Sequence, residues 1–166
     1  MRKIHGGGDL PLIECINHRK GTHVVRWDKQ ADGDRGYAYM EEVVDHKPTL
    51  AEVKELVRGW IDSQTNERII GGFRWHDTDI WLSTENQRNF SEAQRRADAN
   101  ADILPLTFKI GEDGDKEPIY HTFTEVAELD DFYNKAFAYI NECLEEGWRR
   151  KDSVDWSDYE NLVSEV

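Results

Sequence analysis

The residues best suited to chemistry in this chain stand together at His76-Asp77-Thr78-Asp79. One imidazole and two carboxylates are the side chains that ligate a divalent metal and could activate a water for hydrolysis. Strand alternation across the turn points His76 away from Asp77, and no Cys, Glu or second His at ligand spacing joins them. Asp favours turns by bonding nearby backbone groups. Turn formation is therefore the expected role of His76, Asp77 and Asp79. A small metal-dependent hydrolase is the third-ranked reading, and no metal or other cofactor is expected. Ser83 and His121 could form a nucleophile and base, but no Gly-x-Ser-x-Gly elbow surrounds Ser83, which suits a helix cap. Glu112, Asp113 and Asp115 match a calcium loop in composition only. The adjacent carboxylates Glu41-Glu42 and Glu145-Glu146 point in different directions. Gly6-Gly7-Gly8 lacks the preceding strand and following helix of a phosphate loop, and reads as a flexible lead-in. No catalytic set emerges, so the chain is expected not to be an enzyme.

The aromatic residues offer a different chemistry. Tyr37 and Tyr39 share a face by period two, with Val25 and Trp27 expected opposite them across a hairpin. Trp60, Trp75, Trp81 and Trp148 are expected to cluster around the central elements. Core packing is the first reading of these rings. Contact with a partner or ligand is the second, with Trp75, Trp81, Tyr37 and Tyr39 as its candidates.

These residues must be positioned by elements of both kinds. Residues 10–16, 22–29 and 36–44 read as strands, the last two joined by a turn-rich segment containing Asp32-Gly33. Thr49 and Glu52 have capping-box spacing before a helix over residues 50–70, with Leu50, Val53, Val57, Trp60 and Ile61 on one face. Phe73 and Trp75 alternate with polar neighbours in a short strand, and residues 80–82 return antiparallel to it. A helix over 85–99 is capped by Thr84 with Gln87, or by Ser83, and turns Phe90, Ala93 and Ala97 inward. Residues 103–110 and 118–123 form a second hairpin. Thr124 is the expected cap of the last helix, which runs to about residue 150. On it Val126, Leu129, Tyr133, Ala136, Ile140 and Cys143 form a stripe that Phe132, Phe137, Leu144 and Trp148 widen. Trp156 and Tyr159 should pin a C-terminal turn to the body. The fold class is α+β: small antiparallel sheets from hairpins with three main helices, the last the longest. The expected division is a β-rich lobe over 1–47, an α+β domain over 48–155 and a tail over 156–166.

Composition narrows the function. The 166 residues carry a formal net charge of -13, which opposes binding to a phosphate backbone. The one basic run, Arg149-Arg150-Lys151, falls where cations complement a helix C-terminus. Cys15 and Cys143 sit in apolar surroundings and are read as thiols in a reducing compartment. There is neither a signal-peptide run nor a span long enough for a bilayer, so a cytoplasmic protein is expected, with later incorporation into a larger particle as an alternative.

The order helix, Ile69-Ile70-Gly71-Gly72-Phe73-Arg74-Trp75, turn, Trp81-Leu82-Ser83-Thr84-Glu85-Asn86-Gln87-Arg88-Asn89-Phe90, and then a helix bearing Phe-x-x-Ala-x-x-Tyr-Ile-x-x-Cys-Leu carries a resemblance. It resembles a domain of unknown function found in phage and prophage proteins, beside tail-fibre and tail-fibre-assembly genes. The resemblance spans about residues 50–155 and brings no catalytic residue with it. It implies a non-enzymatic structural or assembly protein that acts on protein partners, tail components or another copy of itself, with no nucleic acid and no membrane. The runner-up is a small ligand- or carbohydrate-binding module using exposed aromatic residues.

Overall fold

The computed structural model describes residues 1–163. Eight strands and four α-helices follow in the order β1 (Arg2–Gly6), β2 (Ile13–Asn17), β3 (Thr22–Ala31), β4 (Tyr37–Val44), α1 (Leu50–Gly71), β5 (Phe73–Trp75), β6 (Thr78–Ile80), α2 (Thr84–Ala99), β7 (Leu106–Glu112), β8 (Pro118–Phe123), α3 (Val126–Asp152) and α4 (Ser157–Glu160). The class is α+β with antiparallel sheets, and α3 is the longest helix. The described residues group into two compact units, Met1–Trp60 with residues 153–163, and Ile61–Asp152.

In the first unit the strands form one sheet in the order β1-β4-β3-β2. Arg2–Gly6 of the expected flexible lead-in thus form a strand, while Gly7 and Gly8 follow outside it. Arg2 through Gly6 pair with Glu41 through Tyr37, so the edge of β4 satisfies their backbone groups. The turn between β3 and β4 closes through a 3-10 segment, Gly33–Arg35. Gly36 follows at φ 85, a left-handed position where a Cβ would also collide with the Gly6 carbonyl oxygen. Trp27 faces Met40 and Val25 faces Glu42, so neither lies opposite Tyr37 or Tyr39. A bulge after Trp27, with Asp28 at φ 52, shifts the register.

Across this sheet runs a line of ion pairs, one residue from each strand. Arg26 Nε donates to Glu41 at 2.9 Å, Arg26 Nη1 to Glu14 at 2.8 Å, and Arg2 grips the other Glu41 oxygen at 2.7 and 3.1 Å. Arg26 and Glu41 are buried. Tyr159, buried in α4, donates its hydroxyl to the Arg26 carbonyl at 2.9 Å, which fixes the C-terminal turn to this unit. Trp156 beside it lies under Lys54 and Arg58. The capping box at α1 forms as its spacing predicts. Thr49 N–H donates to Glu52 at 2.8 Å, and Glu52 N–H to the Thr49 hydroxyl at 3.4 Å. Val53 and Val57 are buried behind it.

The second unit is built around aromatic rings. Its core holds Phe73, Trp75, Ile80, Leu82, Phe90, Ala93, Ala97, Ile110, Phe123, Leu129, Phe132, Ala136 and Cys143. Phe132 lies at the centre, with ring centroids 4.8 Å from Phe90, 5.1 Å from Trp75 and 5.3 Å from Phe123, the first two edge to face. The hairpin β5–β6 is tighter than expected. His76 and Asp77 both take positive φ, 46 and 62, and make a two-residue turn, so pairing resumes at Thr78 rather than at Ile80. The extended Trp81 and Leu82 then donate to the carbonyls of Ile110 and Ile70. Gly111 is required here, because a Cβ would strike the Asp79 carbonyl oxygen.

Ile103, expected to open a strand, instead closes the 3-10 turn Ala101–Ile103, and β7 begins at Leu106. The hydroxyl of Ser83 caps α2, accepting from Asn86 N–H at 3.3 Å. Phe90, Ala93 and Ala97 face inward as the spacing predicts. At α3 the first helical carbonyl is that of Glu125, not Thr124. Phe137 and Trp148 are 55% and 57% exposed. They do not widen the buried face, because helical rotation places Phe132, Ala136, Cys143 and Gly147 there instead. At Gly147 a Cβ would press on Thr65 of α1. Cys15 is half-buried and Cys143 buried, both free thiols. Among the described residues no helix is long and apolar enough to cross a membrane.

Candidate functional site

The three turn residues are engaged by the two residues that precede them, Arg74 and Trp75. The His76 ring stacks on Trp75 at 3.9 Å, the Asp77 carbonyl accepts from Arg74 at 3.0 Å, and the Asp79 carboxylate pairs with Arg74 at 3.0 Å. Among the described residues no three His, Cys, Asp or Glu side chains stand together so as to hold a metal ion. Ser83 is engaged as a cap. His121 binds Glu128 at 3.0 Å and presents its edge to Trp75 and Phe123.

The four aromatic candidates separate by burial. Trp75 is 4% exposed, and its indole N–H donates to Asp131 at 3.3 Å. The Lys135 ammonium, and after it that indole, hold the Asp131 carboxyl below the usual carboxylate range. Tyr39 is 1% exposed, donates to Asp9 at 3.0 Å and accepts from Leu10 N–H at 3.1 Å. Tyr37 is half-buried under the Lys29 ammonium, 4.3 Å from its ring. Trp81 is 43% exposed. The expected cluster of four tryptophans does not form. Trp60 packs edge to face on Trp27, Trp75 lies in the aromatic core, and Trp81 and Trp148 face solvent.

One concavity was not legible in the sequence. It is an open groove of about 1040 Å³ beside α2 and α3. Leu82, Phe90 and Ala136, all buried, border it, with Tyr133, Phe137 and Ile140 on the α3 side. Glu85, Arg88 and Glu92 line it from α2. Tyr133 and Phe137, one helical turn apart, stack with centroids 6.2 Å apart and planes 21° from parallel. The Glu92 carboxyl is held down at about 2 by Arg95 and then Arg96, so this rim stays charged across the physiological range. A hydrophobic wall with a fixed ionic edge can seat an apolar side chain of another molecule. The sign that could have marked it was the second apolar stripe on α3, Tyr133-Phe137-Ile140, which the sequence reading folded into the core stripe.

The chain belongs to the family described as a domain of unknown function, DUF4376, whose model matches residues 52–165. No curated protein and no solved structure matches it.

Proposed function

We propose that this member of the family is a non-enzymatic structural or assembly protein of a phage or prophage, tail-associated, that acts through protein contacts. The phage setting rests on the resemblance carried by the Gly71-Gly72-Phe73-x-Trp75 and Glu85-Asn86-Gln87-x-Asn89-Phe90 stretches. The observation that carries the contact reading is Phe137. It stands 55% exposed against Tyr133 at the wall of a groove. A fully buried Phe contributes about 1.5–3 kcal/mol relative to an exposed one, and here most of that is forgone in the isolated chain. Single exposed apolar residues are ordinary, but a stacked pair beside a concavity with an apolar floor is the anatomy of an interface centre.

The partner is a tail-fibre protein encoded in the same phage or prophage genome, docking an apolar side chain against Phe137 and Tyr133. The test is co-expression of the two proteins followed by gel filtration with light scattering. A complex is expected, and Phe137→Asp should weaken it at least tenfold while the circular dichroism spectrum stays unchanged. Two separate monomeric peaks for the wild-type pair would overturn the reading.

A further inference from the structure

The outer face of the β7–β8 hairpin carries a second exposed surface, independent of the groove and beyond the reading above. Lys109 and Tyr120 are paired across the two strands, so their side chains stand on one face. Trp81 lies beside β7, its backbone N–H donating to the Ile110 carbonyl, and the Lys109 ammonium stands over its ring, 5.3 Å from the centroid. Tyr120 is 63% exposed and Trp81 43%. The next pair on that face is Thr107 and Thr122, both exposed, with hydroxyls 2.8 Å apart. Alternation in β7 and β8 sends Phe108, Ile110, His121 and Phe123 to the other face, toward the aromatic core. The core therefore needs none of Trp81, Lys109 or Tyr120.

Local charge selects the class of ligand. Lys109 is neutralised by Glu112 at 2.8 Å. The patch is thus balanced on a chain whose net charge is -13, which favours neither a polyanion nor a cation. Two amphipathic rings separated by a polar stem, with hydroxyls beside them, match the surface of a sugar. Its C–H face is apolar and its rim is a ring of hydroxyl donors and acceptors. A protein partner is the weaker fit, because interface centres are depleted in the charged groups that intervene here.

We propose that Trp81 and Tyr120 form a platform for an uncharged oligosaccharide, one pyranose ring lying on Tyr120 and another on the part of Trp81 that Lys109 leaves exposed. Lys109, Thr107 and Thr122 supply hydrogen bonds to the sugar hydroxyls. The experiment uses the full chain on an array of neutral glycans that includes hexaoses of glucose, galactose, mannose and N-acetylglucosamine. Hits are then titrated by tryptophan fluorescence and calorimetry. Saturable binding to a neutral glycan is expected, weakened at least tenfold by Trp81→Ala and by Tyr120→Ala, and retained by Trp81→Phe and by Phe137→Asp. Because Tyr120 is largely solvent-exposed, its substitution leaves the fold intact and keeps the test valid should Trp81→Ala misfold. Absence of binding to every neutral glycan would overturn the proposal. So would binding that survives both alanine substitutions, or a preference for carboxylated sugars. Loss of self-association in Trp81→Ala without any glycan binding would also overturn it. None of these outcomes touches the tail-protein contact, which Phe137→Asp reports.

Discussion

The two units of this protein solve the same problem with different materials. The first lays an ion line, Glu14–Arg26–Glu41–Arg2, across four strands, with its two middle members, Arg26 and Glu41, buried. The second packs Phe132 among Trp75, Phe90 and Phe123. Ion pairs are directional and fix register, because each carboxylate oxygen must meet its own guanidinium nitrogen. Their net stabilisation is small, since removing both charges from water costs about as much as their attraction returns. Aromatic packing is less directional, but each ring contributes several kcal/mol of burial and dispersion. The first unit is therefore specified chiefly by pairing, and the second held chiefly by packing.

The sharpest way to break that contrast is to delete one member of each. Phe132→Ala should cost about 3–5 kcal/mol, the usual range for a fully buried ring, read as a fall in the urea midpoint. Glu41→Ala should cost about 3 kcal/mol, because Arg26 would stay buried without its main partner. The double replacement Arg26→Met with Glu41→Met should recover most of that loss, whereas no single substitution near Phe132→Ala should. If the paired methionines remain as unstable as Glu41→Ala, the ion line is a true source of stability and the contrast fails.

A smaller effect separates the C-terminal turn. Burial, then the nearby Asp158 carboxylate, pushes the Tyr159 hydroxyl up to about 12 from the ordinary 10.0. A raised value means that the folded state holds its proton more tightly. The contribution is intact below pH 10 and is lost as pH rises from 10 through about 12. Tyr159→Phe should lower stability by about 1 kcal/mol at neutral pH, the worth of its bond to the Arg26 carbonyl. It should also remove the alkaline slope, measured by thermal melts in a pH series.

The smallest expected effect lies at the start of α1. His46 sits between Asp45 at 2.8 Å and Glu52 at 2.9 Å, and those carboxylates, Asp45 first, raise its pKa above 6.5. Its stabilisation should be full below 6.5 and fade as pH rises past the folded value. The difference in Tm between wild type and His46→Gln, followed from about pH 5 to about pH 9, should shrink toward zero at the alkaline end. A constant difference would mean that the imidazole acts by packing alone.

How much of this was legible without coordinates depended on whether the signal was local. The Thr49–Glu52 box, the inward face of α2 and the length of α3 were read correctly, because each is written within a few turns of one helix. Strand β1 was missed because its residues have no apolar alternation, and it exists because the edge of β4 offers backbone partners. The second strand of the central hairpin was displaced by two residues, because the left-handed conformations of His76 and Asp77 shorten the turn without a glycine to announce it. Phe137 was assigned to the core because its spacing fits a wide stripe, and which side of that stripe is covered depends on the neighbouring elements.

By itself the sequence determined the α+β class, the Thr49–Glu52 capping box and the acidic surface, all consequences of residue type and short-range spacing. Tertiary structure alone decided which rings are buried. Trp75 and Trp81 are alike in kind and six positions apart, yet the tight turn and the hydrogen bond from Trp81 to Ile110 put one at the centre of the core and the other in water. A side chain's burial is a property of what packs against it, and the partners come from strands and helices distant in the chain.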